Sequence, residues 1–240
     1  MNSSNVLSNE KKEINEMKSN NIFKKFQCDY FLQKLFNHLL KKKSLDIIKY
    51  NKSIKNRLNI SIKDYKEYSE LYSSIELELK PVNNKYGRFI HIHKKDQKIY
   101  HIYFDNNKEE IKRNYLKENE QIKIIRIIID YQAKSFEGLF KDCYCLEYIF
   151  FKKFYRNSIN NMGCMFYGCS SLKELNLSNF NTNNVTDMER MFYGCSLLEE
   201  LNLSNFNTNN VTDMNCMFNG CSSLEELNLS KFFIRRIKSF

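Results

Sequence analysis

The chain has 240 residues, a net charge of +10, eight cysteines, one proline and no tryptophan. Its hydrophobic fraction of 42% is enough for a core and excludes a wholly disordered chain, while the mean hydropathy of −0.58 reflects abundant Lys and Asn. No apolar run is long enough to span a bilayer, since "IKIIRIIID" falls well short of the roughly 20 residues a spanning helix needs and contains Arg126.

In chain order, the opening stretch "MNSSNVLSNEKKEINEMKSN" lacks an apolar segment and reads as a disordered tail over residues 1–20 rather than a signal peptide. Cysteines in a chain without an export signal read as free thiols, so an intracellular protein is expected, with no disulfide framework. From Ile22 to Leu58 the period is helical: Phe31, Leu35, Phe36, Leu39 and Leu40 recur at three- and four-residue spacing, followed by Leu45, Ile48, Ile54 and Leu58. "SIKDYKEYSELYSS" continues with a third helix, Ser61 as its cap. The period then shifts toward two in "SIELELK", "RFIHIH" and "KIYHIYF", with "KKDQ" marking a hairpin between the last two. "EEIKRNYLKENE" is a polar connection and "IKIIRIIID" a buried strand. Residues 21–130 are therefore expected to form a basic α+β region of helices and a β-hairpin.

That region carries the charge surplus. Residues 1–135 hold 28 Lys+Arg against 17 Asp+Glu, whereas residues 136–240 hold 10 against 11. A basic surface attracts nucleic acid or anionic lipid, but no Arg-rich cluster or glycine–aromatic RNA signature accompanies this one. Solvated lysines in a chain rich in A/T-codon residues explain it as well, and nucleic acid is not the expected partner. His91 and His93 share a strand face, and His101 joins them in one hairpin register. No fourth ligand is evident, so no metal is expected.

Residues 131–240 are a repeat array. Met162, Met188 and Met214 are 26 residues apart, as are Cys169, Cys195 and Cys221, and Phe166, Phe192 and Phe218. "ELNLSNFNTNNVTDM" occurs twice, from Glu174 and from Glu200, and begins again at Glu226 as "ELNLSKF". The register persists in degenerate form one step earlier, with Leu139, Phe140, Cys143, Leu146, Ile149, Phe151 and Phe154 on the apolar positions, giving about four units. A fixed period in the twenties marks a solenoid, whose units share a core with their neighbours. "MxxMFxxC" is read as a short helix ended by Gly168, Gly194 and Gly220, with Asn161, Asp187 and Asp213 placed to accept backbone N–H groups. "LxxLNLSxF" is read as a strand with Leu175 and Leu177 inward and Glu174, Asn176 and Ser178 outward. Each rung lies against its own copy about 4.8 Å away, so buried Leu, Phe and Cys stack and amides form ladders.

"MFYGCSSLKELNLSNFNTNNVTDM", from Met165 to Met188, resembles the BspA-type leucine-rich-repeat family, whose units combine "MFxGCSSL" with "LxLSNFxTxNVTDM". The resemblance covers roughly residues 136–234. It implies a leucine-rich-repeat solenoid used for binding proteins or surfaces, with no catalytic residues to carry over, and a cell-surface location for many members. The fold class expected is thus an α+β N-terminal region followed by an α/β leucine-rich-repeat solenoid with a parallel strand ladder.

The expected function is non-enzymatic protein binding through the outward strand face: Glu174, Asn176 and Ser178, then Glu200, Asn202 and Ser204, then Glu226, Asn228 and Ser230. Residues 162–230 carry eight acidic and two basic side chains, which favours a basic partner. The alternative for this face is a merely solvated one. Cys143, Cys169, Cys195 and Cys221 are read as core thiols, because parallel equivalents project the same way rather than at each other. No activated nucleophile, phosphate-binding loop or catalytic carboxylate pair emerges, and no cofactor is expected. Two alternatives stand beside this reading: a surface adhesin of the BspA type, and an intracellular adaptor whose N-terminal helices dock a second complex in an F-box-like layout.

Overall fold

A computed structural model describes residues 52–58, 63, 66, 73–229 and 232. The chain divides into two compact units, Met1–Ser69 and Glu70–Phe240. In the first, α1 spans Lys52–Arg57 and the Leu58 N–H donates to the Ile54 carbonyl at 2.9 Å. The expected tail and most of the expected helices lie outside the described residues.

The second unit is built on strands. β1 (Ile75–Pro81) buries Ile75, Leu77 and Leu79 and turns Glu76 and Glu78 to the other face, as strict alternation dictates. β2 (Gly87–Arg88) and β4 (Tyr115–Leu116) form a small antiparallel pair. β3 (Tyr100–Phe104) and β5 (Ile125–Ile129) alternate like β1, and β6 (Leu146–Lys153) is the longest strand. β7 (Glu174–Asn176), β8 (Glu200–Asn202) and β9 (Glu226–Asn228) are three-residue strands, one per repeat.

The main sheet has the order β3-β5-β1-β6-β7. β6 is its hinge point: it runs antiparallel to β1, with Leu79 opposite Ile149, and parallel to β7, with Ile149 opposite Leu175. The antiparallel half thus continues directly into the repeats, and one core runs from Ile75 to Met217. The loop after β1 closes over the first repeat, the Val82 N–H donating to the Cys145 carbonyl at 2.8 Å and the His91 N–H to the Leu139 carbonyl at 2.7 Å.

The expected fold class is overturned. Among the described residues of this unit, helix is limited to a 3-10 turn at Lys94–Ile99, strands dominate, and the largest sheet is mixed. The parallel ladder is not continuous either, because β8 and β9 pair in a separate sheet while β7 belongs to the main one. "KKDQ" makes that 3-10 turn rather than a hairpin, and β3 pairs with β5 instead of with "RFIHIH".

The missing helix in each repeat has a backbone cause. Cys164, Arg190 and Cys216 sit at φ of 53°, 51° and 53°, and Gly168, Gly194 and Gly220 at 69°, 72° and 78°. Two left-handed residues four apart cannot belong to a right-handed helix. The segment is instead a run of tight turns. Met165, Tyr167 and Cys169 donate their N–H groups to the carbonyls three residues back, at 3.1–3.2 Å. The alternate N–H groups donate to the next repeat: Met162 to Asp187, Cys164 to Glu189, Phe166 to Met191 and Gly168 to Tyr193, at 2.7–2.9 Å. The same four bonds join residues 136–142 to the second unit and residues 188–194 to the last.

Side chains repeat the theme. Phe140, Phe166, Phe192 and Phe218 stack with centroids 5.6, 5.6 and 5.7 Å apart and planes within 4°. Those spacings exceed the ~4.8 Å rise between rungs, so the rings slip sideways into the offset stack that aromatic quadrupoles favour. A second column runs through Phe154, Phe180, Phe206 and Phe232. Asn207 Nδ2 donates to Asn183 Oδ1 at 2.9 Å, and Asn184 and Asn210 reach backbone carbonyls one unit back.

One polar side chain stitches the two halves together. Arg156 is 0% exposed; its Nη1 donates to the Asp130 carbonyl at 2.8 Å, its Nη2 to the Ala133 carbonyl, and its Nε and Nη2 to Ser158 Oγ. Burial draws the guanidinium down to about 10, which leaves it cationic at neutral pH. It fills the position held by Thr182 and Thr208 in later units.

Two outcomes are expected in urea unfolding. Gly194→Ala places a Cβ at φ 72° in a column of stacked backbones and lowers stability by about 1–2 kcal/mol. Arg156→Lys, which offers one ammonium where a forked group met two carbonyls, lowers it by about 2–4 kcal/mol. Unchanged midpoints contradict these assignments.

Candidate functional site

The face opposite the core is presented by the outward residues of β6 to β9. In register across β6 and β7, Tyr148 lies opposite Glu174 and Phe150 opposite Asn176; across β8 and β9, Glu200 lies opposite Glu226 and Asn202 opposite Asn228. Leu177, Leu201 and Leu203 are buried beneath, which fixes the outward direction of their neighbours.

Between β7 and β8 no strand pairing forms, and an open groove of about 700 Å³ follows the seam. Glu174, Asn176, Ser178, Glu200, Asn202 and Ser204 all line it, together with Tyr148, Lys173, Glu199 and Asn205. Asn205 holds the seam at one end, its Nδ2 donating to the Leu177 and Ser178 carbonyls at 3.3 and 2.7 Å. Asn179 does the same one unit earlier. Asn176 Oδ1 accepts from the Ser178 N–H at 3.0 Å and from its hydroxyl at 2.7 Å, and Asn202 Oδ1 accepts from the Ser204 N–H at 3.0 Å. These turns hold the polar atoms in place before any ligand arrives, which lowers the ordering cost of binding.

Glu226 and Asn228 stand exposed on β9, outside the groove, and Ser230 lies outside the described residues. Tyr148 and Glu199 were not singled out from sequence. Tyr148 occupies the Glu174 position one 26-residue step earlier, so continuing the register into the degenerate unit finds it. Burial pushes its phenol up, and the Glu174 and Glu78 carboxylates add to the rise. Lys80 Nζ sits 4.8 Å from its ring centroid, a cation–π contact.

The groove therefore offers three carboxylates, one ammonium, several amides and an aromatic ring. Carboxylates and an aromatic face are groups that suit cations, and amides are groups that suit hydrogen-bonding chains. The histidines are apart: His101 Nδ1 lies 3.1 Å from Glu110 Oε1 and its Nε2 3.4 Å from Asp130 Oδ2, while His91 Nδ1 is 3.2 Å from Arg88 Nη1. Among the described residues no group of three or more His, Cys, Asp or Glu side chains could hold a metal ion.

Asn161, Asp187 and Asp213 accept backbone N–H groups, from Gly163, Glu189 and Asn215 at 2.8–2.9 Å, but they cap turns rather than helices. The cysteines form a column whose thiols donate backwards: Cys169 to the Phe140 carbonyl, Cys195 to Phe166 and Cys221 to Phe192, at 3.0–3.2 Å. All seven described cysteines are free.

Residues 134–240 match the family described as Mycoplasma protein of unknown function, DUF285, a BspA-like repeat family. The match spans the repeats, β6 included, and leaves β1 to β5 outside it. No curated protein and no solved structure matches. No described helix is long and apolar enough to cross a membrane.

The thiol column makes a pH prediction. Burial pushes Cys143, Cys169 and Cys195 well above the ordinary thiol range and Cys145 to about 11. As pH rises the unfolded chain loses these protons first. The stabilisation is fully present below the unfolded thiol pKa of about 8.5 and is lost above it, at about 1.4 kcal/mol per pH unit for each thiol still protonated in the fold. Urea unfolding from pH 8 to 10.5 is expected to show this decline, and Cys195→Ala a shallower one. Identical slopes contradict a buried Cys195 thiol.

Proposed function

We propose that this chain is a non-enzymatic binding protein whose repeats, a BspA-type variant of the leucine-rich repeat with turns in place of the helix, hold a basic protein partner across the strand face. The observation that carries this reading is the groove at the β7–β8 seam, onto which six of the nine side chains chosen from sequence converge. Its carboxylates, Glu174, Glu199 and Glu200, outnumber its single ammonium, Lys173. A Lys or Arg side chain entering the seam meets Glu174 and Glu200 from two sides and the Tyr148 ring from a third. An intracellular site of action goes with this reading. The likeness of the repeats to BspA-like proteins favours a second one, an adhesin on the cell surface.

The test is affinity capture with the wild-type chain and with Glu174→Lys/Glu200→Lys, the two proteins being compared first by circular dichroism. Basic partners recovered by the wild type are expected to fall at least about tenfold with the variant, and to weaken between 50 and 300 mM salt as screening shortens the reach of the carboxylates. Equal recovery removes the groove as the binding site. Protease added to intact cells separates the two locations, since digestion without lysis supports the adhesin.

A further inference from the structure

The strand face does not stop at the repeats. Across the main sheet one outward row joins Asn176 on β7 to Phe150 on β6, Glu78 on β1, Arg126 on β5 and Tyr103 on β3, each opposite the next. Asn176 lines the seam groove at one end of this row. At the other end Glu78, Arg126 and Tyr103 line a second open hollow, of about 420 Å³, together with Glu76, Lys108 and Lys152.

The two hollows have opposite charge. The seam sets Glu174, Glu199 and Glu200 against Lys173. In the second hollow Glu78 accepts from Lys152 and Glu76 from Lys153, so both carboxylates are already paired. Among the described residues no carboxylate pairs with Arg126 or Lys108. Arg126 is half-buried; its Nη2 donates to the Asn107 carbonyl at 3.3 Å, and its Nε is buried with no acceptor. A buried donor without an acceptor is costly. A carboxylate supplies one, its second oxygen taking an Nη in the forked geometry that guanidinium favours.

Spacing sets what can bridge the two. Strands lie about 4.8 Å apart, so the seam midline is about 7 Å from β6 and about 14 Å from the β1–β5 junction. An extended chain advances about 6.8 Å every two residues and points residues i, i+2 and i+4 the same way. Three alternate side chains therefore fall on the seam, on the Phe150 ring and on Arg126. Phe150 leans on Tyr148, with centroids 6.3 Å apart, and makes an apolar step between the hollows.

We propose that the partner lays an extended segment across this sheet. A Lys or Arg enters the seam, an apolar side chain two residues away covers Phe150, and an Asp or Glu two further away meets Arg126 and Lys108. The inference rests on the seam as a cation-binding groove and adds to it a far anchor and a spacing. Opposite charges fix which end enters the seam, because a flipped segment brings its carboxylate up to Glu174, Glu199 and Glu200.

The test is fluorescence anisotropy with the full chain and labelled serine–glycine peptides that carry lysine, leucine and glutamate at alternate positions. The glutamate peptide is expected to bind at least about fivefold more tightly than one with glutamine there, or one whose glutamate is moved along by one residue. Arg126→Gln is expected to remove both differences. Lys108→Gln, on the exposed loop after β3, is expected to shrink them about twofold without touching the sheet. Arg126→Glu is expected to prefer a peptide with lysine in place of the glutamate. Equal binding of the glutamate and glutamine peptides overturns the inference, as does a difference that survives Arg126→Gln. Failure of every peptide to bind overturns it too, capture of basic partners being the separate measure of the seam. If Glu174→Lys/Glu200→Lys binds all the peptides as the wild type does, the seam reading falls, and this inference with it.

Discussion

The structure depends on one row of hydrogen bonds. Every second N–H in the turn run of a repeat is turned out of its own rung and into the carbonyl of the next, always in the same direction. A turn run can do this only if its backbone alternates between bonding to itself and bonding outward, which the left-handed residues at positions 164, 190 and 216 and the glycines four residues later impose. Once that alternation exists, each rung must be nearly a copy of its neighbour. The carbonyls have to fall at the same spacing, the phenylalanines have to stack, and any side chain above a glycine has to leave its Cα clear. Asp142, whose Oδ1 would collide with a Cβ on Gly168, shows how little room remains.

A directional row has two unlike ends. At the first, the problem is solved by a different kind of structure. β1, β3 and β5 form an antiparallel sheet whose edge strand accepts β6, and β6 then passes the pairing on in parallel to β7. Arg156 completes the junction by donating to carbonyls of the chain that leaves β5, groups that no repeat-type side chain at that position could reach. At the last described rung, the corresponding N–H groups meet no such carbonyl among the described residues, and Val211, Phe218 and Leu224 are partly buried.

The strand face inherits its character from this arrangement. Three-residue strands spaced by long turn runs pair well only where the rungs lie flat against one another, and the break between β7 and β8 opens the groove that collects the acidic and amide side chains. Its rigidity comes from Asn205, which binds carbonyls across the seam, from Asn179, which does the same at the β6–β7 junction, and from turns in which Asn176 and Asn202 are already satisfied. Under the proposed reading, recognition there costs little ordering, because the donors and acceptors are set beforehand.

The 26-residue spacing determined by itself which side chains stack: the Phe, Met and Cys columns, the inward leucines, the outward Glu–Asn–Ser rows and the Asp turns all follow from a period and an alternation. It also marked six of the groove's lining residues, since outwardness is a property of strand parity alone. It did not determine the backbone of "MxxMFxxC". An apolar spacing of three and four suits a helix and a chain of turns equally, and φ at Cys164 or Arg190 is set by a neighbouring rung. Nor did local pattern decide that β3 would pair with β5, or that β1 would adopt β6, because alternating strands of similar composition carry no address. The seam was decided only in three dimensions, where three short strands with identical letters paired at one junction and parted at the other.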